Sequence, residues 1–117
     1  MRSYDIDEQR FFPPEIPNIN WQFVRADSQL PDFKIARCEL LFIDGCHKYE
    51  SVKADLKQAE RVWLYLILHD TSEARDQTYG DGVCRAMNEF LAESPEWAII
   101  ERFDNCNGLT VLGRNLA

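Results

Sequence analysis

An α/β layer fold with a mostly parallel sheet is the architecture this sequence predicts, and three observations carry it. Near-continuous apolar runs, Leu40-Leu41-Phe42-Ile43 and Leu64 to Leu68, suit strands covered on both faces. After each run the hydrophobic period lengthens to that of a helix, first at Tyr49, Val52, Leu56, Ala59 and Trp63, then at Val83, Ala86, Met87, Phe90 and Leu91. Strand and helix signals therefore alternate, which is the pattern of βαβ units.

Each element follows in chain order. Residues 2–6 read as the end of a strand, and Pro13-Pro14 with Pro17 force an extended connection after it. Trp21 to Arg25 is a short strand in which Trp21 and Phe23 alternate with Gln22. Pro31-Asp32 breaks the chain before the strand Glu39 to Ile43, which Asp44-Gly45 ends abruptly. The helix from Tyr49 to Trp63 turns Lys53, Asp55, Lys57 and Glu60 to an ordinary solvated face. Leu64 to Leu68 is a second buried strand, closed by His69-Asp70, and a polar stretch from Thr71 to Gly82 follows as a lid or a surface loop. The next helix stops at Ser94-Pro95. Trp97 to Phe103 and Leu109 to Leu112 form a hairpin around a loop at 105–108.

Composition bounds the function. At 117 residues, 45% hydrophobic and 12% aromatic, the chain is sized for a single domain and is too apolar to be disordered. A net charge of −7 disfavours nucleic acid and anionic membranes as partners. The longest apolar run, Val62 to Leu68, has seven residues, too few for a membrane span, and no signal segment opens the chain. A cytoplasmic location is the expectation. Cysteines at 38, 46, 84 and 106 contain no C-x-x-C pair, so they read as free thiols, with Cys46 the one at an interesting address between Gly45 and His47.

In α/β folds the chemistry gathers at the carboxyl ends of the strands. Those positions hold Asp5 and Asp7, Asp27-Ser28-Gln29, Asp44-Gly45-Cys46-His47, and His69-Asp70-Thr71. Each residue also has a plain structural role open to it. Asp5 and Asp7 could cap a loop, and Asp44 could cap the helix that follows it. His47 could be a solvated first-turn side chain, and His69 could be a structural hydrogen-bonding residue.

The segments "LLFIDGCHKYESVKADL", "LILHDT" and "GVCRAMNEF", in that order, resemble class I S-adenosylmethionine-dependent methyltransferases. The similar group is the one whose fourth strand ends in F-I-D-G-x-H-x-Y and whose fifth ends in H-D. "SYDID" and "RADS" resemble the ends of that fold's second and third strands, so the likeness runs from about Ser3 to Arg114.

The resemblance implies a Rossmann-like sheet, mostly parallel with a C-terminal antiparallel hairpin. It implies that Asp5 holds the cofactor ribose and that Asp27, Ser28 and Gln29 read the adenine, while Asp44 faces the methyl-transfer site. It further implies that Asp44 and Asp70 ligate Mg²⁺, a hard cation that prefers oxygen. His47, and after it His69, are the implied catalytic histidines, with His47 as general base. The substrate would be an oxygen-bearing small molecule or sugar.

One family feature is missing from these residues. The five glycines lie at 45, 80, 82, 108 and 113, so no glycine-rich cofactor loop precedes the presumed second strand. The sequence thus reads as the carboxyl-terminal two-thirds of such a domain, without its first strand and helix. A second copy could complete the sheet across an interface. A folded but non-catalytic assembly module is the alternative reading, and a metal-dependent enzyme of another reaction class is a third.

Overall fold

The computed structural model describes residues 2–5, 22–105 and 107–115; Trp21, Cys106 and the proline segment lie outside them. The chain divides into two compact units, Met1–Lys34 and Ile35–Ala117.

In the first unit, strands β1 (Arg2–Asp5) and β2 (Gln22–Arg25) pair in parallel, with Tyr4 opposite Val24 and Asp5 opposite Arg25. The Tyr4 and Phe33 rings meet edge to face, their centroids 5.5 Å apart. After β2 the chain turns tightly. Asp27 Oδ1 accepts the Gln29 amide at 2.9 Å, and the Leu30 amide donates to the Asp27 carbonyl at 3.2 Å. An aspartate that bonds the backbone two residues ahead is a local substitute for a turn, which explains the bend before Pro31.

The second unit is a four-stranded mixed sheet. Its strands are β3 (Cys38–Ile43), β4 (Val62–His69), β5 (Trp97–Phe103) and β6 (Leu109–Arg114), in the order β3-β4-β6-β5. β3 and β4 run parallel, with Leu40 beside Tyr65 and Ile43 beside Leu68; the other two pairs are antiparallel. The hairpin of β5 and β6 joins this sheet as the sequence predicts. The strand at 22–25 does not: it pairs with β1 in a separate two-stranded sheet.

Two helical spans differ from expectation. The stripe from Tyr49 to Trp63 predicts one helix, but α1 ends at Leu56 (Tyr49–Leu56) and tightens into a 3₁₀ turn at Lys57–Arg61. Trp63 then belongs to β4 and is about half exposed. The run Val62-Trp63-Leu64-Tyr65 is rich in β-branched and aromatic residues, and strand pairing wins it from the helical period. The polar stretch after β4 holds a helix, α2 (Glu73–Tyr79), ahead of α3 (Val83–Glu93).

The core is assembled from helical Val52, Leu56, Val83, Ala86 and Met87 and from strand residues Ile43, Val62, Leu66, Leu68 and Leu112, all buried. Among the described residues, Leu40, Phe42, Trp63 and Tyr65 between the buried ones are exposed, so the second unit by itself does not cover β3 and β4 on both faces as their apolar runs predict. Apolar sequence alone does not distinguish a strand buried twice from one that leaves a hydrophobic face open. Among the described residues, no helix is long and apolar enough to cross a membrane.

Candidate metal centre

Parallel pairing brings two strand ends to the same edge of the sheet. Because Ile43 lies beside Leu68, the next residues out, Asp44 on one strand and His69-Asp70 on the other, become neighbours. One ligand atom each from Asp44, His47 and Asp70 fall within 4.8 Å of one another. In the sequence Asp44 and His47 share one segment and Asp70 lies on another, and strand register unites them.

Asp70 is held in an unusual way. Its φ of 63° lies in the left-handed region, which aspartate tolerates better than most residues. The Asp70 amide donates to the Gly108 carbonyl at 2.8 Å, and the Ser72 amide to the Asn107 carbonyl at 3.0 Å, so the turn before β6 clamps the exit from β4. Gly108, with φ of 92°, is needed there: an added Cβ would stand 2.6 Å from the Ser72 nitrogen. The adjacent Thr71 and Thr110 hydroxyls share a buried hydrogen bond of 2.8 Å. The result is a carboxylate only 5% exposed at the centre of the cluster.

Around it the charges are close. His47 Nε2 lies 2.6 Å from Asp70 Oδ2. His69 Nδ1 lies 3.1 Å from the same oxygen and 3.4 Å from Asp44 Oδ1; the ring is partly exposed, but this atom is buried and makes no hydrogen bond. An unsatisfied buried ring nitrogen beside two carboxylates is costly unless something fills the gap. On its other side, His47 Nδ1 faces Asp81 Oδ2 at 3.8 Å. Arg75 secures that same oxygen through Nε at 2.9 Å and a second guanidinium nitrogen at 2.8 Å.

Asp44 does not cap α1. The N-cap position is Lys48, and no side chain caps the helix end. Its carboxylate is therefore free to serve the cluster. Cys46, next to the cluster, is exposed; the Lys48 backbone and then the Ser51 side chain hydrogen-bond its sulfur and hold the thiol below its ordinary range. Burial instead pushes the Cys38 and Cys84 thiols up.

Of the residues implied for the cofactor, Asp5, Asp27, Ser28 and Gln29 fall in the first unit and Asp44 in the second. Asp27, Ser28 and Gln29 form a local cluster in which Gln29 Nε2 donates to Ser28 Oγ at 3.1 Å. The Asp5 side chain lies outside the described residues. Sequence reasoning missed Arg75 and Asp81 altogether, since their link to His47 is tertiary. The helix that carries Arg75 did leave a trace: Ser72 occupies its N-cap position and Gly80, with φ of 70°, its end.

The donor set can hold a divalent cation. Two carboxylates converge, one of them buried, and an imidazole nitrogen completes three corners of a coordination sphere. In comparisons with known proteins, no family model, no curated protein and no solved structure matches the chain.

Proposed function

We propose that this chain carries the metal-binding edge of an S-adenosylmethionine-dependent methyl-transfer site acting on a hydroxyl oxygen of a small molecule or sugar. The observation that carries the proposal is the convergence of Asp44, His47 and Asp70 at the carboxyl ends of two parallel strands. Crevices at such strand ends are where open α/β sheets bind their ligands. The motif resemblance supplies the reaction class. The mixed sheet order β3-β4-β6-β5 with its terminal hairpin is compatible with a Rossmann-like methyltransferase sheet.

A divalent cation, when bound, supplies positive charge that makes a coordinated hydroxyl acidic near neutral pH. The chain's own part is to hold the two carboxylates and to orient the substrate oxygen toward the methyl group. In the transfer itself the substrate oxygen would give up its proton to solvent water and form a bond to the methyl carbon, while the carbon–sulfur bond would break with its electron pair kept on sulfur. Residues 1–44 contain no glycine, so none of them forms the glycine-rich loop that holds the methionine end of the cofactor in the family it resembles. Binding weaker than micromolar is expected for the chain by itself.

The test is transfer of labelled methyl from millimolar S-adenosylmethionine to a panel of catechols and sugars, with and without a chelator. Transfer that needs the ion and fails in Asp44→Ala supports the proposal. Transfer indifferent to both, or none at saturating ion and cofactor, contradicts it.

A second reading, a non-catalytic assembly module, is favoured by one observation. Edge strand β3 presents Leu40 and Phe42, each about half exposed, beside exposed Trp63 and Tyr65 of β4. Unpaired apolar edges of this kind invite association. Sedimentation that detects a stable dimer with no methyl transfer would favour it.

A further inference from the structure

We infer that the strand-end site prefers a transition dication of the Zn²⁺, Co²⁺ or Fe²⁺ type over Mg²⁺, with His47 as a ligand that Asp81 and Arg75 lock in place. The inference rests on the proposed metal site and names the chemistry of its ion.

Mg²⁺ demands an octahedron of oxygens and gives up water reluctantly. The donors here are of another kind. His47 Nε2 stands 2.6 Å from the buried Asp70 oxygen, on the inner side of the cluster. His69 Nδ1, buried and without a hydrogen bond, is a second imidazole nitrogen beside the cluster, 3.4 and 3.1 Å from the Asp44 and Asp70 oxygens. The converging set of one imidazole nitrogen and two carboxylates suits borderline first-row ions. Bonds of about 2.0–2.2 Å in a four-coordinate site place ligand atoms roughly 3–3.5 Å apart. The present spread, 2.6 Å for the nearest pair and at most 4.8 Å across the triad, brackets that spacing, so small side-chain rotations suffice.

The outer contacts of His47 fit the same role. Histidines that bind metals almost always direct their second ring nitrogen to a carboxylate or carbonyl, which fixes tautomer and orientation. His47 Nδ1 faces Asp81 Oδ2 at 3.8 Å, and the paired Arg75 contacts of 2.8 and 2.9 Å keep that carboxylate from swinging away. The backbone adds a further tie: the Gly82 amide donates to the His47 carbonyl at 2.8 Å. Only glycine permits that approach, since a Cβ at 82 would lie 2.4 Å from the Tyr49 Cα. The polar segment between β4 and α3 therefore acts as the outer support of the site. As a ligand, His47 would bind the ion through Nε2 in place of its present contact with Asp70, and it would then not take a proton as the general base that the resemblance implies.

The experiment uses the metal-free full chain with Co²⁺ and Mg²⁺ as probes. Visible absorption of Co²⁺ separates nitrogen and oxygen ligands from cysteine sulfur, whose charge-transfer band is distinct. The expected result is one Co²⁺ per chain without that band, bound about a hundredfold or more tighter than Mg²⁺. His47→Asp, which leaves one oxygen where a nitrogen was, should keep Mg²⁺ binding and lose most of the preference. Asp81→Asn should weaken Co²⁺ about 10–100-fold and alter its visible bands, a change that loss of fold alone would not give while circular dichroism is unchanged. Equal affinity for the two ions, or a preference intact in His47→Asp, overturns the inference but leaves a metal site standing. No binding of either ion overturns the inference and the metal part of the proposed function together.

Discussion

Cys46 and Asp70 are the residues where local physics differs most from the ordinary. The hydrogen bonds from Lys48 and Ser51 favour the Cys46 thiolate, while burial disfavours it at Cys38 and Cys84. Thiolate is the nucleophile, so alkylation by iodoacetamide at neutral pH should label Cys46 first among these three, and its rate should rise at a lower pH than theirs. Peptide mapping of partially labelled protein checks this; equal labelling of Cys84 would contradict it. Asp70 joins an exceptional backbone angle to a buried charge. Asparagine accepts the same left-handed conformation and fills the same space, so Asp70→Asn should fold as the parent does. It removes a charged oxygen from the cluster centre, and divalent-ion affinity measured by calorimetry should fall at least about tenfold, the lower end of what even outer supports cost at metal sites.

At the scale of elements, the site depends on how α1 and α3 pack and on how the hairpin turn holds the end of β4. Tyr49 on α1 donates its hydroxyl to Glu89 on α3, and Arg85 stacks over the Tyr49 ring at 4.0 Å. That hydrogen bond, aided by Arg85, holds the Glu89 carboxyl below its ordinary range. A carboxyl with a depressed folded pKa stabilises above its unfolded value, about 4.3, and loses that contribution as pH falls through the folded one. Tyr49→Phe should therefore lower the melting temperature at pH 7, with the gap to the parent closing as pH falls below about 4. A gap independent of pH would contradict this. At the turn, Gly108→Ala forces a Cβ into the Ser72 amide at positive φ, and should cost about 1–3 kcal/mol in denaturant unfolding. Much of this level was legible in the sequence. Strong periodicity located α3, β4 and the hairpin, and the abrupt polar ends of two apolar runs located Asp44 and Asp70. The polar stretch with α2 was not legible as support for the site, because Arg75 and Asp81 reach His47 only through folding. Nor did the apolar runs reveal that Leu40, Phe42 and Tyr65 stay exposed, since hydrophobicity records a preference for burial and not its fulfilment.

For the molecule as a whole, two compact units divide the implied roles: the residues of the adenine turn belong to the first, and the metal cluster belongs to the second. The cluster is the part that stands on geometry. Asp44 and Asp70 bring two carboxylates to one place, and like charges so close favour a bound cation, while Asp81 is already paired with Arg75. Anomalous diffraction from crystals of the chain grown with Mn²⁺ locates such an ion without reference to any reaction. The expected result is one strong peak within roughly 2.0–2.6 Å of oxygens from Asp44 and Asp70, with the His47 ring nitrogen as a third ligand. Peaks only at exposed surface acids, or none at the paired strand ends, would contradict the assignment of a metal centre to this sheet edge.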